Sequence, residues 1–264
     1  MGIIDIHTHA FSDKLAPRAI AALEAECPWK AVSGGTVGEL VASMDEADID
    51  VSALCCIATK PDQTKAIFRW CRKIRSDRIE PFPSVHPDTP DAGDWVHRFC
   101  EADFAGIKLH PMYQEFAIDE PRLHPIYAAA AEAGIVVTFH VGYDIAFPPD
   151  DDRAAPERLR RVLDTFPDLH AICTHLGGWQ DWQASGEHII GTNTYIETSF
   201  SLGPGGCENA VELIRQHGVE RVLFGTDWPW RGQRQDLEFF DKLNLSDDER
   251  SAILYRNAGK LLGY

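Results

Sequence analysis

The 264-residue sequence contains no apolar run long enough to cross a bilayer and no basic, apolar leader at its N-terminus. Its seven cysteines form no CxxC pair, and an odd number does not suit a disulfide framework. Basic residues are scarce: 25 Lys and Arg stand against 41 Asp and Glu, which gives a formal charge of −16. Nucleic-acid binding needs clustered positive charge. We therefore expect a soluble, cytoplasmic protein that binds neither nucleic acid nor membrane.

The sequence also lacks features that would divide it or give it a phosphate-binding fold. No linker, charge block or low-complexity tract interrupts residues 1–264, so we expect one domain. A doubly wound sheet usually carries a glycine-rich loop after its first strand, and here that position holds HTHAFS. What is present is a regular alternation of eight strand patterns with helical patterns. In a chain of this length, that alternation predicts a (β/α)8 barrel.

The predicted strands are short and mostly apolar, as expected for parallel strands buried on both faces. After the N-terminal strand they are predicted at 51–58, 79–86, 105–110, 135–142, 170–176, 195–199 and 221–227. Helices are predicted at 15–26, 37–47, 63–75, 92–102, 123–133, 156–166, 208–217, 237–243 and 246–262. The last helix has a capping box at its start, formed by Ser246 and Glu249.

Ionisable residues lie at the C-terminal ends of these predicted strands. His7 and His9 are two residues apart in the first strand, so their side chains should project from the same face. Alone, such a pair is at least as often satisfied by hydrogen bonds as by a metal. Later strand ends, however, carry His86, Lys108, His110, His140, His175, Glu197 and Asp227. A buried cluster of imidazoles and carboxylates is costly unless something compensates it, so we predict a metal site at this end of the barrel.

Four motifs resemble the amidohydrolase superfamily: HTH in the first strand, FHVG around His140, HLGG from His175, and FGTDWP at the end of the last strand. The sequence is most similar to the amidohydrolase-related branch, which includes aminocarboxymuconate-semialdehyde decarboxylase, aromatic-acid decarboxylases and lactone hydrolases. The resemblance implies that His7, His9, His140 and Asp227 bind one divalent ion, most often zinc, with manganese as the other choice. It also implies that His175 handles a proton beside the ion, so His175 and Asp227 are the predicted catalytic residues.

The roles of four further residues stay open. Lys108 lies on the fourth strand, where binuclear members carry a carboxylated lysine that bridges two metals. A contact from Lys108 to a substrate carboxylate, or an ion pair with Glu197, accounts for it as well. We favour one metal because nothing else in the sequence demands a bridge. His110, on the same strand face, is a candidate for the same roles, and Trp228 and Arg231 are candidates for substrate contacts.

Two enzyme classes fit this set of residues. Our main interpretation is a metal-dependent hydrolase that attacks a lactone, amide or ester with a metal-activated water. The alternative is a non-oxidative decarboxylase of an aromatic or muconate-like acid, in which His175 helps to protonate the ring carbon. A metal-binding barrel without catalysis is disfavoured because both the ligands and His175 are intact. The expected partner is a small organic acid or lactone, and a homodimer is left open.

Overall fold

The computed structural model describes residues 2–264 and contains eight short parallel strands. The first three strands pair in chain order, as do the last five. The strands are Ile4–Thr8 (β1), Val51–Cys55 (β2), Ile79–Phe82 (β3), Gly106–Leu109 (β4), Val136–Phe139 (β5), Ala171–Cys173 (β6), Tyr195–Glu197 (β7) and Val222–Leu223 (β8).

Backbone hydrogen bonds join the two sets of strands into a closed barrel. Where the last strand meets the first, the N–H of Asp227 donates to the carbonyl oxygen of His7 at 2.7 Å. Where the third strand meets the fourth, the N–H of Lys108 donates to the carbonyl oxygen of Pro83 at 2.9 Å. The predicted (β/α)8 barrel is therefore confirmed.

Helices surround the barrel, and most lie within three residues of their predicted bounds. The capping box of the C-terminal region is present, because the Ser246 hydroxyl accepts from the N–H of Glu249 and the Glu249 carboxylate accepts from the N–H of Ser246. The helices are Ala16–Glu26 (α1), Val37–Ala47 (α2), Thr64–Ile74 (α3), Ala92–Glu101 (α4), His124–Ala133 (α5), Pro156–Thr165 (α6), Thr174–Gly177 (α7), Trp182–His188 (α8), Ala210–His217 (α9), Gln233–Phe240 (α10), Asp247–Ser251 (α11) and Asn257–Leu262 (α12). A π-helical turn, Ala252–Arg256, joins the last two.

The structure departs from the prediction after β6. The strand ends at Cys173 instead of running to Leu176, because His175 and Leu176 adopt left-handed conformations with φ of 61° and 52°. The seventh helical segment is therefore a kinked turn. The eighth helix, Trp182–His188, has no predicted counterpart. No helix within residues 2–264 is long and apolar enough to cross a membrane.

The barrel interior is filled by apolar side chains from several strands. Ile6, Phe82, Val136 and Leu223 belong to one buried cluster although they come from four different strands. Ala258 of α12 joins the same cluster, which anchors the C-terminal helix to the barrel. A larger cluster lies between strands and helices. The barrel interior is therefore packed, and polar chemistry is confined to its C-terminal end.

Candidate metal centre

Three potential ligand atoms converge where the first and last strands meet. His7 Nε2 lies 3.1 Å from His9 Nε2 and 3.6 Å from Asp227 Oδ1, and His9 Nε2 lies 3.2 Å from the same oxygen. The left-handed backbone of Asp227, with φ of 63°, and its hydrogen bond to the carbonyl oxygen of His7 fix the turn that carries this carboxylate. The two strands are thus held so that the ligand atoms of these three side chains converge on one point.

Hydrogen bonds on the far side of each imidazole fix which nitrogen faces this position. His7 Nδ1 lies 3.0 Å from Glu197 Oε1, and His9 Nδ1 lies 2.8 Å from the carbonyl oxygen of Cys55. Both oxygens act as acceptors, so each Nδ1 carries the proton and each Nε2 presents a lone pair.

Asp227 Oδ1 faces those two lone pairs and is buried without a hydrogen-bond partner. The lone pairs of these three atoms repel one another, and a cation between them would remove that repulsion. The residues at this position therefore fit a divalent metal ion.

A second pair of histidines continues the cluster across the cavity. His140 Nε2 donates to the carbonyl oxygen of Tyr143 at 3.0 Å, so the lone pair of its Nδ1 faces His175 Nε2 at 3.3 Å. His175 Nδ1 lies 2.8 Å from Ser199 Oγ, which donates its own proton to Glu197 Oε1. His175 Nδ1 must therefore be the donor in this contact. The Nε2 of His175 is left free to accept or release a proton in the cavity.

The side chains that could hold a metal form three neighbouring sets. Within each set, the ligand atoms lie within 4.8 Å of one another. The sets are His7, His9 and Asp227; His7, His175 and Glu197; and His110, His140 and Asp144. The predicted ligand His140 thus belongs to a different set from the other three predicted ligands, and its role as a ligand stays a prediction.

Lys108 lies beside the first set without an acidic partner. Its Nζ is 3.3 Å from His7 Nε2, and its side chain is fully buried. Within residues 2–264, no carboxylate oxygen lies within 4.0 Å of this ammonium. Glu197 instead accepts from His7, from Ser199 and from the N–H of His175. The ion pair with Glu197 considered from the sequence is therefore not formed.

The pKa shifts favour the protonation states that metal ligands need. Burial, with a contribution from Lys108, lowers the pKa of His7 to about 4. Burial alone would raise the pKa of Glu197, but the hydrogen bond and charge of His7 outweigh it and bring the pKa to about 2. His7 and His9 likewise overcome the burial of Asp227 and hold its pKa well below the usual range. Neutral imidazole and ionised carboxylate are the forms that bind metals.

His110 contributes a second polar wall to the cavity. Its ring stacks on that of His140, with centroids 4.2 Å apart, and its Nε2 lies 3.3 Å from Asp144 Oδ2. Its Nδ1 is buried without a partner. Asp144 was not among the residues predicted from sequence, and its only signal was its position four residues after His140.

The two substrate candidates from the last strand lie outside the cavity. Trp228 is 1% exposed and packs in the core, whereas Trp230 lines the cavity. Arg231 pairs with Asp236 at 2.9 Å and donates to the carbonyl oxygen of Leu202 at 3.1 Å. Trp228 and Arg231 therefore stabilise this turn and do not line the cavity.

A cavity of about 780 Å³ lies above the candidate metal position. Its floor is polar and includes His9, Lys108 and Asp227. Its walls are largely apolar. Aromatic side chains in these walls include Phe11, Trp179, Phe200 and Trp230. This arrangement suits a flat apolar ligand with one anionic end.

Comparisons with known proteins agree with the barrel and identify the family. The amidohydrolase family profile matches residues 4–264. Gamma-resorcylate decarboxylase of Rhodococcus jostii is 23% identical over 279 aligned residues, covering 83% of this chain and 84% of that relative. An uncharacterised TIM-barrel protein from Bordetella bronchiseptica superposes with a TM-score of 0.79 at 20% identity, covering 100% and 99% of the two chains. A dihydroxybenzoic acid decarboxylase from Polaromonas, with bound manganese and the inhibitor 2-nitroresorcinol, superposes with a TM-score of 0.74 at 16% identity, covering 99% and 97%.

These relatives correct the main interpretation of the sequence. The hydrolase assignment was wrong, because the matching enzymes are decarboxylases, and the findings favour the decarboxylase alternative. Hydrolysis and decarboxylation use the same metal ligands and the same histidine, so the site residues alone could not distinguish the two reactions. The resemblance to the superfamily is confirmed, since the family profile spans almost the entire sequence. The chain belongs to the amidohydrolase family.

Proposed function

We propose that this protein is a metal-dependent, non-oxidative decarboxylase of a hydroxylated aromatic carboxylic acid. The observation that carries the proposal is the fully buried ammonium of Lys108, which has no acidic partner and lies beside the candidate metal ligands. Asp227 and Glu197 attract the ammonium from a distance, but no carboxylate contacts it directly, and a bound substrate carboxylate would supply that contact. The decarboxylase relatives support the same reaction class.

The charge of the cavity favours an aromatic acid over a muconate-like one. Among its described lining residues, Lys108 is the single Lys or Arg. A muconate-like acid with a second carboxylate would place that group against apolar walls without a cation. An aromatic acid has one carboxylate for the floor and a flat ring for the walls formed by residues such as Phe200 and Trp179.

We assign the metal to His7, His9 and Asp227, with Nδ1 of His140 as a fourth ligand. This mixed set of nitrogen and oxygen donors accommodates either zinc or manganese. We favour manganese because the Polaromonas decarboxylase contains it. When bound, the ion supplies positive charge that anchors the oxygens of the substrate.

The protein's own residues account for the remaining steps. Lys108 holds the carboxylate, and the aromatic walls orient the ring and exclude water. His175, once its Nε2 has also taken up a proton from solvent, donates that proton to the ring carbon that bears the carboxylate. The bond between that carbon and the carboxylate then breaks, its electron pair returns to the ring, and carbon dioxide leaves. His175 regains a proton from solvent, and Asp227, whose lowered pKa keeps it ionised, acts as a metal ligand beside the same space.

The test is the release of carbon dioxide by manganese-loaded protein. Purified protein is incubated with 2,6-dihydroxybenzoate and related hydroxybenzoates, and both carbon dioxide and the phenolic product are quantified. The expected result is stoichiometric formation of both, absent in chelator-treated protein and restored when manganese is added. Intact acids across the panel, with the metal fully loaded, would contradict the proposal.

A further inference from the structure

The cavity extends well beyond the polar floor, into a space between two helices. The first helix turns Ala19, Ala22 and Leu23 toward it, and the third turns Ala66 and Ile67 toward it. Ala22 and Leu23 follow Ala19 by three and four residues. Trp70, which also lines the cavity, follows Ile67 and Ala66 by three and four, so each group lies on one helix face. We call this space the apolar arm and define it by Ala19, Ala22, Leu23, Ala66, Ile67 and Trp70.

The size of the cavity exceeds the needs of a single-ring acid. Pockets of ~300–1,000 Å³ accommodate drug-sized ligands. The volume of about 780 Å³ lies in the upper half of that range. A monocyclic acid bound at Lys108 would leave the apolar arm unfilled. Three residues of the arm are alanines, and their small side chains leave the space between the two helices open.

The charge of the arm limits what can occupy it. None of its six residues is charged, and no Lys or Arg other than Lys108 lines any part of the cavity within residues 2–264. Glu26, at the end of the first helix, also lines the cavity and would repel an anion. The occupant of the arm is therefore neutral and apolar.

The mouth of the cavity carries exposed apolar side chains. Leu15, Trp29, Tyr143 and Ile145 line the cavity and are each 37–41% exposed. They are four of the six large hydrophobic residues exposed in residues 2–264. Their concentration at one opening, continuous with a polar floor, indicates a surface that an apolar ligand group covers.

We propose that the apolar arm binds a neutral alkyl or aryl substituent on the ring of the aromatic acid. The substrate is then a substituted hydroxybenzoate whose carboxylate contacts Lys108 and whose substituent lies between the first and third helices. This inference rests on the proposed decarboxylase function for the position of the carboxylate. The position of the substituent follows from the walls of the arm.

The test is a series of ligands that differ only in the length of one chain. The acids are 2,4-dihydroxybenzoates with hydrogen, methyl, propyl or pentyl at carbon 6, and the products are the matching 5-alkylresorcinols. Manganese-loaded protein is assayed for kcat/KM with the acids and, separately, by calorimetry for the Kd of the resorcinols. Each added methylene should improve both quantities about two- to fourfold, as expected for partial to full burial of a methylene.

Two substitutions that fill the arm locate the effect. Ala22→Trp on the first helix and Ala66→Trp on the third should each lower the pentyl-to-hydrogen ratio of kcat/KM at least tenfold and raise the pentyl-to-hydrogen ratio of Kd at least tenfold. The matched control is Ala21→Trp, because Ala21 is exposed on the first helix and does not line the cavity. The control should keep the wild-type ratio. Circular dichroism and the Tm confirm that each variant is folded.

The outcomes separate this inference from the proposed function. If the Kd of the resorcinols falls as the alkyl chain lengthens, the arm is supported. If, in the same protein, no acid releases carbon dioxide, only the decarboxylase function is refuted. Carbon dioxide released at equal rates across the series, with equal Kd values, would overturn the arm and leave the decarboxylase standing. A pentyl effect that survives both substitutions would also overturn the arm. A further outcome is that the protein self-associates through the mouth of the cavity while Kd stays the same for every chain length. That result would overturn the arm and assign the exposed residues to a contact with a second copy.

Discussion

Replacing Lys108 by methionine tests the interaction on which the proposed function depends. The ammonium is fully buried, lies 3.3 Å from His7 Nε2 and has no carboxylate partner. Burial lowers its pKa, so holding the charge already costs stability. Methionine has a similar length and removes the charge without leaving a large void.

The two expected effects have opposite signs. A hydrogen bond to a charged group contributes ~1.5–3 kcal/mol, so loss of the carboxylate contact should weaken binding of the acid about 10- to 150-fold. The Tm of the variant should equal or exceed that of the wild type, because an unpaired buried charge has been removed. The metal content should not change.

The assay combines calorimetry with a hydroxybenzoate, thermal unfolding and elemental analysis of the same preparation. Lys65→Met is the matched control, since Lys65 is exposed on the third helix and should leave all three quantities unchanged. Unaltered affinity in Lys108→Met would refute the carboxylate contact. Loss of metal together with activity, restored by short carboxylates, would instead identify Lys108 as a carboxylated bridging ligand.

Three further predictions concern other parts of the chain. Protein purified without chelator should contain close to one divalent ion, and His140→Ala should lose most of it; a full complement by elemental analysis would exclude His140 as a ligand. His175→Asn should keep the metal and lose turnover by ~10²- to 10⁴-fold, and normal turnover would exclude its role in proton transfer. Hydrogen bonds from Arg215 and the N–H of Ser246 lower the pKa of Glu249 from 4.5 to about 2, so this carboxylate stabilises the fold above pH 4.5 and loses that effect as the pH falls toward 2. Glu249→Gln should therefore lower the Tm at pH 7 more than at pH 2, and an equal change at both values would contradict this reasoning.

The barrel could be predicted from sequence because its signal is local and repeated. The helix at 37–47 was predicted with the bounds that the structure has, since its apolar spacing lies within the segment. The strand after it was predicted three residues too long. Val51–Ala58 is apolar except for Ser52, so its composition does not show where the strand ends. Pairing with β3 ends at Cys55.

The candidate site was predictable in its members and less so in its geometry. His7 and His9 project together as their spacing predicts, yet Asp5 in the same alternation accepts hydrogen bonds from Thr226 and Gln233 instead. A register shift between Asp5 and Thr8 breaks the alternation, and it depends on how the strand pairs with its neighbours.

The left-handed turn at His175 was likewise invisible in the sequence. It is fixed by tertiary contacts, among them the hydrogen bond from the N–H of His175 to Glu197. The same limit applies to Trp228 and Arg231, because one turn sends Trp230 into the cavity and the other two side chains into the core. Composition alone does not determine which way such a turn faces.

The position of the three convergent ligand atoms at the meeting point of the first and last strands has a consequence for biosynthesis. His7 and His9 are synthesised well before Asp227, which follows the first seven strands in the chain. The nascent chain therefore has no complete ion-binding set until its eighth strand emerges and pairs with the first. Binding of an ion by all three residues therefore requires that β8 has paired with β1, and a bound ion would strengthen the contact between these two strands.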